Sequence, residues 1–451
     1  MQGSFLRRSI LFRMALVGVL ALFLLIPVTL VSGLISERRV RRTEAVDEVS
    51  SKWGKAQTIT GPIVTIPVRR LFKDDKGKVQ ASTIDYLHWL PEQLDITARV
   101  SSQVRRRGIY RIVLYTLDLA LTADFQFADL VGHLSGERQP LWDQAFVTLG
   151  ITDLKGIKEI REASWNAKAV SVDPGLRSSD VISSGLTMIP ALAGEPGRFA
   201  LRAIINGSER IDVTPVGKVT NFHVSSNWGD PSFDGDFLPE RRVITDRSFA
   251  ADWRVLHLNR NYPQAWYGDK HEVRSSAFGV RLLLPVDEYQ KNTRAVKYAE
   301  MFIVLVFLAF FLIDLKTRTA LHPIQYALVA SALVLFYVLL LSVSEHMPFD
   351  TAYYLASGAI TILVSLYMYA TTRRRAVAGF MAALLAAQYG FLFVLMRLED
   401  YALLLGSLGL LLILGFVMYQ TRKIDWFNVS ADFGNETTPP PPPSHSTLGL
   451  N

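Results

Sequence analysis

Cysteine is absent from all 451 residues, which removes disulfide frameworks, thiolate metal sites, iron–sulfur clusters and a cysteine nucleophile together. Nucleotide-binding and hydrolase signatures are missing too: no G-x-x-x-x-G-K-[ST], H-E-x-x-H, G-x-S-x-G or dinucleotide fingerprint occurs. The eight histidines (His88, His133, His223, His257, His271, His322, His346 and His445) never fall at metal-ligand spacing. No cofactor, metal or catalytic residue is therefore expected. Charge is scarce in two stretches, residues 1–35 and 298–451, which hold 11 Lys/Arg and 9 Asp/Glu against 37 and 32 in the 262 residues between them. Such long uncharged runs exclude a wholly soluble protein. The net charge of +7 is spread too thinly to argue for nucleic acid as a partner.

What is present is a pattern of membrane spans around a charged middle. Residues 14–35 carry no charge over 22 positions, enough to cross a hydrocarbon core that needs about 20 residues of helix. The run is longer than a secretory signal core and lacks an A-x-A-like ending, so it reads as a retained anchor, with Pro27 expected to kink it. Five further apolar segments follow: Tyr298–Leu315, Pro323–Val343, Thr351–Ala370, Ala376–Met396 and Tyr401–Gln420. Basic breaks at Lys316/Arg318, Arg373–Arg375 and Arg422/Lys423 alternate with the acidic or mixed breaks at Glu345/Asp350 and Arg397/Glu399/Asp400. Lys and Arg in short loops favour the cytoplasm, so residues 1–13 and 421–451 are expected inside and residues 36–297 outside it. The five prolines Pro439–Pro443 make the tail an extended, solvated segment.

Within residues 36–297 the hydrophobic period is two. Leu117, Leu119, Leu121, Ala123, Phe125 and Phe127 alternate with largely polar neighbours, the mark of a half-buried strand. Further strands are expected at 63–68, 83–90, 94–100, 110–115, 146–151, 219–225 and 278–285, with a short helix at 40–55. Asn206-Gly207, between alternating runs, predicts a two-residue hairpin. The expected fold is a large, mainly antiparallel, sandwich-like β domain between one N-terminal helix and a five-helix bundle over 298–420.

Three groups of residues can carry function. Ser225–Glu240 combines Asp230, Asp234 and Asp236 with Trp228, Phe233 and Phe237. Aspartates spaced by glycine can ligate Ca²⁺ through oxygen, but the D-x-[DN]-x-[DN]-G order is not met; the competing reading is a turn-rich loop pinned by its aromatics. Arg105, Arg106 and Arg107 can meet anionic lipid headgroups or an acidic glycan, or simply sit in solvent. In the spans, Glu300, Asp314, Glu345, His346 and Arg397, with Gln325 and Gln388, are polar groups of the kind that serve function at membrane depth. All of the ionisable ones lie near span ends, whereas a transporter places such groups near the midplane. Gly358, Gly390, Gly406 and Gly409 are expected to permit close helix packing.

The phrases GPIVTIPV (61–68), HWLPEQL (88–94), RRGIY (106–110), LTADF (121–125), SNWGDPSFDGDFLP (226–239), RAVKYAEMFIVLVFLAFF (294–311), LHPIQY (321–326), LLLSVSEH (339–346) and TRKIDW (421–426) resemble the CreD family of bacterial inner-membrane proteins. The resemblance runs from the basic start to residue 427. It implies a Gram-negative inner-membrane protein with a periplasmic domain, linked to envelope stress under the Cre two-component system and to colicin tolerance, and it supplies no active site. The expected function is thus non-enzymatic support of the cell envelope, with membrane lipids and an envelope component or protein as partners. A lipid or small-molecule transporter built on the C-terminal helices is the alternative.

Overall fold

The computed structural model describes residues 10–73, 79–134, 138–284, 288–317, 322–397 and 402–422; the proline-rich tail lies outside them. The chain forms two compact units, Met1–Val40 with Asp287–Asn451, and Arg41–Val286.

The anchor and the expected short helix are one element, α1 (Ile10–Trp53), 44 residues long with Pro27 inside it. Residues 34–53 contain neither glycine nor proline and are rich in Glu and Arg, so nothing interrupts the helix where the apolar run ends. It stops at Gly54, whose φ of 146° is open to glycine alone. A four-residue α2 (Leu130–His133) belongs to the second unit. The helices of the first unit continue as α3 (Glu288–Lys297), α4 (Ala299–Thr317), α5 (Pro323–Ser344), α6 (Phe349–Thr372), α7 (Arg375–Arg397) and α8 (Ala402–Thr421). Among the described residues, stretches in α1, α5, α6 and α7 are long and apolar enough to cross a membrane, and Ala299–Phe310 and Leu404–Gly415 are shorter apolar helices. Gln325 acts locally. Its side chain accepts from the His322 backbone N–H (3.0 Å), closing a capping box at the start of α5 with Pro323 in the first turn. Of the four glycines, Gly409 lies against the ring of Phe391, while Gly358 and Gly390 have open space around them. Close packing therefore explains Gly409 and not that pair.

The second unit is two sheets. In the first, the order is β14 (Pro231–Gly235), β18 (Phe278–Leu282), β12 (Arg210–Thr214), β1 (Gln57–Lys73), β6 (Phe146–Ile151), β10 (Gly185–Met188) and β9 (Val172–Pro174). Strands β2 (Val79–Trp89) and β5 (Arg138–Pro140) also pair with β1, and β17 (Ala265–Tyr267) pairs with β2. The second sheet runs β15 (Arg241–Thr245), β16 (Ser248–Leu256), β13 (Val219–Ser226), β3 (Gln93–Arg107), β4 (Tyr110–Phe125), β11 (Gly197–Ser208), β7 (Ile157–Trp165) and β8 (Lys168–Ala169). Pairing is antiparallel except for β1 with β12 and β3 with β13, so the sheets are mixed. The alternation in β4 is as expected, with Leu117, Leu119, Leu121, Ala123 and Phe125 all buried. One apolar core draws on both sheets: Phe222 of β13 meets Phe278 of β18 edge-on at 6.0 Å, and Phe233 of β14 meets Trp253 of β16 at 5.6 Å.

The Asn206-Gly207 hairpin is not formed. Both residues lie inside β11, opposite Thr116 and Tyr115, and the chain leaves that sheet at Glu209 (φ 60°) to enter β12 of the other. Glycine is needed at 207 because the Tyr115 ring occupies the space a side chain would take. The Tyr115 hydroxyl in turn donates to the Arg210 carbonyl (2.8 Å), tying the crossing together.

Candidate interaction site

Residues 226–247 occupy the border where both sheets end, because β14 is the last strand of one sheet and β15 the last of the other. Ring contacts fix the segment. Phe233 packs edge-on to Phe249 (5.9 Å) and Trp253, Phe237 packs on Phe278 (5.6 Å), and Trp253 Nε1 donates to the Phe237 carbonyl (3.0 Å). Trp228 Nε1 donates to the carbonyl of Leu283 (2.9 Å), whose own N–H donates to the Asp230 carbonyl (3.1 Å). The aromatics of this stretch are thus anchors of an edge strand.

Its aspartates do not converge. Asp234 pairs with Arg281 (3.2 Å) and accepts from the Ser232 hydroxyl (2.9 Å), while Asp230 and Asp236 are exposed. Asp234 has a neighbour the sequence does not reveal: Gly279 of β18 stands opposite Asp234 on one side and Asp212 of β12 on the other. A side chain at 279 would collide with the backbone of Ile211 and Asp212. Asp212 is buried and bonded to Arg210 (2.6 Å). Burial pushes its carboxyl above the ordinary value, against the opposing pull of Arg210. Each carboxylate is matched by an arginine two residues away in register, an ion-pair ladder and not an open ligand set. Among the described residues no three His, Asp or Glu gather as metal ligands.

The arginine cluster closes the β3–β4 hairpin, with Gly108 (φ 59°) in the turn between Arg107 and Tyr110. Arg107 bonds Glu48 of α1 (3.0 Å) and the Arg105 guanidinium lies 5.7 Å from the Trp53 ring centre. Hydrogen bonding from Lys52, and the charges of Arg107 and Lys52, hold the Glu48 carboxyl below its usual range. Arg106 stands exposed opposite Arg111.

Several polar groups of the helix unit are paired at helix ends. Glu345, the C-cap of α5, takes Arg38 of α1 (3.6 Å) and the Tyr289 hydroxyl of α3 (3.3 Å). Asn292 donates to Ser344 (2.9 Å) beside them. Arg397 at the end of α7 bonds Asp350 at the start of α6 (2.7 Å), and the His346 Nδ1 lies 3.1 Å from the Ser342 carbonyl. Glu300 is exposed in the first turn of α4, and the side chain of Asp314 lies outside the described residues. These contacts join helices whose partners sequence spacing does not reveal. The one legible signal is the charged run that directly follows the first apolar span, in which Arg38 stands with Arg39, Arg41 and Arg42.

One buried relay escapes sequence reading. Thr65 Oγ1 lies 3.0 Å from His88 Nδ1, and His88 Nε2 lies 3.3 Å from Asp180 Oδ2. Hydroxyl, imidazole and carboxylate in line are the parts of a nucleophilic triad. Thr65 and His88 are each only 2% exposed, however, so no substrate reaches the hydroxyl. The relay instead pins the loop carrying Asp180 onto β1 and β2. Burial lowers the His88 pKa below its ordinary 6.5, with Asp180 pulling the other way. The folded protein therefore binds fewer protons here than the unfolded chain once pH drops below 6.5, and stability is lost from that point down through the lowered folded value. Melting of the full chain across this range checks it: the acid-side loss is expected to shrink in His88→Gln.

A family profile described as "Inner membrane protein CreD" matches residues 9–427. The "Inner membrane protein CreD" of Escherichia coli (strain K12) is 32% identical over 415 residues, 91% of this chain and 92% of that one. The chain belongs to the CreD family. It is accordingly an inner membrane protein, and its apolar helices contact lipid. The CreD family is named for a membrane protein and not for an enzyme. Solved structures of an M1 zinc metallopeptidase from Deinococcus radiodurans align at TM-scores of 0.21 and 0.22, with 13% and 10% identity, covering 37% and 80% of this chain and 38% and 97% of theirs. Likeness at that level carries no argument about fold or zinc.

Proposed function

We propose that this CreD-family protein is a non-enzymatic scaffold of the cell envelope. Six membrane helices hold a two-sheet sandwich outside the cytoplasm, both termini lie inside, and the open border at residues 226–247 binds an envelope component or protein partner. One observation carries the reading. Leu238, Val243 and Ile244 are 73%, 65% and 46% exposed at that border, while Asp212 and Asp234 beside it are taken up in structural ion pairs. Exposed apolar groups on strand edges are the usual material of protein recognition. Of the three arginines of the β3–β4 hairpin, Arg106 is exposed and faces solvent, where an anionic headgroup can meet it, while Arg107 is held by Glu48 and Arg105 by the Trp53 ring.

A transporter is the second reading, favoured by Tyr389 Oη and Gln388 Nε2 in the middle of α7, which are buried with no hydrogen-bond partner among the described residues. The test uses a photo-crosslinking residue at Leu238 in cells, together with Arg161→Cys as the sole thiol of the chain. Capture of a discrete envelope protein, and labelling of Cys at 161 by an impermeant reagent from outside, are expected. Labelling only from the cytosol sinks the placement. Solute flux in proteoliposomes that Gln388→Leu abolishes replaces the scaffold with the transporter.

A further inference from the structure

Three polar side chains line up across neighbouring strands of the first sheet. Arg138 of β5 stands opposite Arg70 of β1, and Arg70 stands opposite Thr83 of β2, so the three share one face and one row. Val68, two residues before Arg70 on that face, is fully buried, whereas Arg70 and Thr83 are exposed and Arg138 is half-buried. The row therefore marks where the face leaves the core. Like charges directly opposite each other on a sheet destabilise it unless something neutralises them. The first sheet holds a second arginine pair of this kind, Arg210 opposite Arg281, and there Asp212 and Asp234 supply the neutralising charge. Among the described residues no carboxylate pairs with Arg70 or Arg138. We propose that this row is a phosphate site, which takes the dianionic head of a phosphomonoester between the two guanidinium groups, with the Thr83 hydroxyl as a further donor.

Both guanidinium groups are already held for that task. The Arg70 guanidinium lies over the Phe72 ring, 4.9 Å from its centre, and that of Arg138 lies over the Tyr267 ring at 4.6 Å. Tyr267 is itself fixed, its hydroxyl donating to the His133 carbonyl (2.8 Å). A guanidinium laid on a ring is held by its face, which leaves the N–H edge to meet an oxyanion with two parallel bonds. Charge selects the ligand. Two arginines call for a group near two negative charges, and a phosphomonoester carries about −1.5 to −2 at neutral pH, whereas a carboxylate or a phosphodiester brings a single charge. Asp85 shares the face one row further in, opposite Val68, and no ion pair joins it to either arginine. A phosphomonoester lipid and a soluble phosphate ester present the same group, and it is this group that the row recognises. Strands β1, β2 and β5 contribute nothing to the 226–247 border, so either site can fail without the other.

The test titrates full-length protein in a neutral detergent with dioctanoyl phosphatidic acid, dioctanoyl phosphatidylglycerol, glycerol 3-phosphate and inorganic phosphate, with binding read by calorimetry. Phosphatidic acid is expected to bind several-fold more tightly than phosphatidylglycerol, which has the same chains and a phosphodiester. Arg70→Gln and Arg138→Gln are each expected to weaken that binding about tenfold, the scale of a lost charge-assisted hydrogen bond. Arg70→Lys keeps the charge but loses the fork, and is expected to weaken it as well. Arg254→Gln, which removes an exposed arginine on β16, is expected to leave it unchanged. Melting of each variant without ligand separates loss of the site from loss of the fold. Binding of phosphatidic acid alone assigns the site to a lipid, and binding of the two soluble phosphates beside it assigns the site to the free group. Equal affinity for the two lipids, absence of binding by every phosphate probe, or a loss in Arg254→Gln as large as in Arg70→Gln overturns the inference.

Discussion

Phe278→Ala is expected to lower the stability of the β unit by about 3–5 kcal/mol, the usual range for deleting a fully buried phenylalanine. The residue is wholly buried in β18, and its ring meets Phe222, Phe237 and Trp253. Those three rings come from β13, from the segment after β14 and from β16, so one deletion opens a cavity at the junction of the sheets beneath the 226–247 border. Urea unfolding followed by tryptophan fluorescence reads the effect, because Trp253 lies 5.7 Å from the lost ring. Loss below about 1 kcal/mol, the scale of a tolerated core swap, contradicts the packing. Phe278→Leu retains much of the apolar volume and is expected to cost clearly less.

The second large effect is at Gly207. Gly207→Ala places a methyl group within the van der Waals envelope of the Tyr115 ring, which is fully buried and bonded to the Arg210 carbonyl. Overpacking of this kind costs about 1–3 kcal/mol, and more where neither neighbour can move. Tyr115 is held on both sides, by β3 and β11, so the upper end is expected. Combining Gly207→Ala with Tyr115→Leu tests the cause. If the ring is the obstacle, the double variant is more stable than the sum of the single losses allows. Simple addition of the two losses means that the glycine serves something else, and the turn that Asn206-Gly207 suggests becomes the rival account.

Gly207 also shows where reading from sequence reaches its limit. A strand is announced by its own alternation, which is why β6 and the alternating part of β4 are legible, although residues 110–115, expected as a separate strand, are the start of β4: side-chain direction repeats every second residue whatever the partner. Asn-Gly reads as a turn for an equally local reason, its tolerance of positive φ. At 207 the glycine answers instead to a ring 92 positions earlier in the chain, and no local pattern carries that. The same holds for Asp234. Its spacing from Asp230 and Asp236 suggests shared ligands, but strand pairing with β18 aims it at Arg281, 47 residues on. Trp228, Phe233 and Phe237 are legible as the anchors of their segment, since bulky rings next to glycine and proline have few other uses. Val243 and Ile244 are not, because exposure depends on where a strand falls in its sheet.

The membrane helices, the charged middle segment and the mixture of strands follow from the sequence alone, because water and lipid act on composition and period one segment at a time. Tertiary structure decided the rest: which strands pair in parallel, that α1 continues to Trp53 and carries Glu48 to Arg107, and that Thr65, His88 and Asp180 form a sealed relay. Those outcomes depend on contacts between residues tens to hundreds of positions apart. Their energy comes from shape and partner, and a linear pattern records neither.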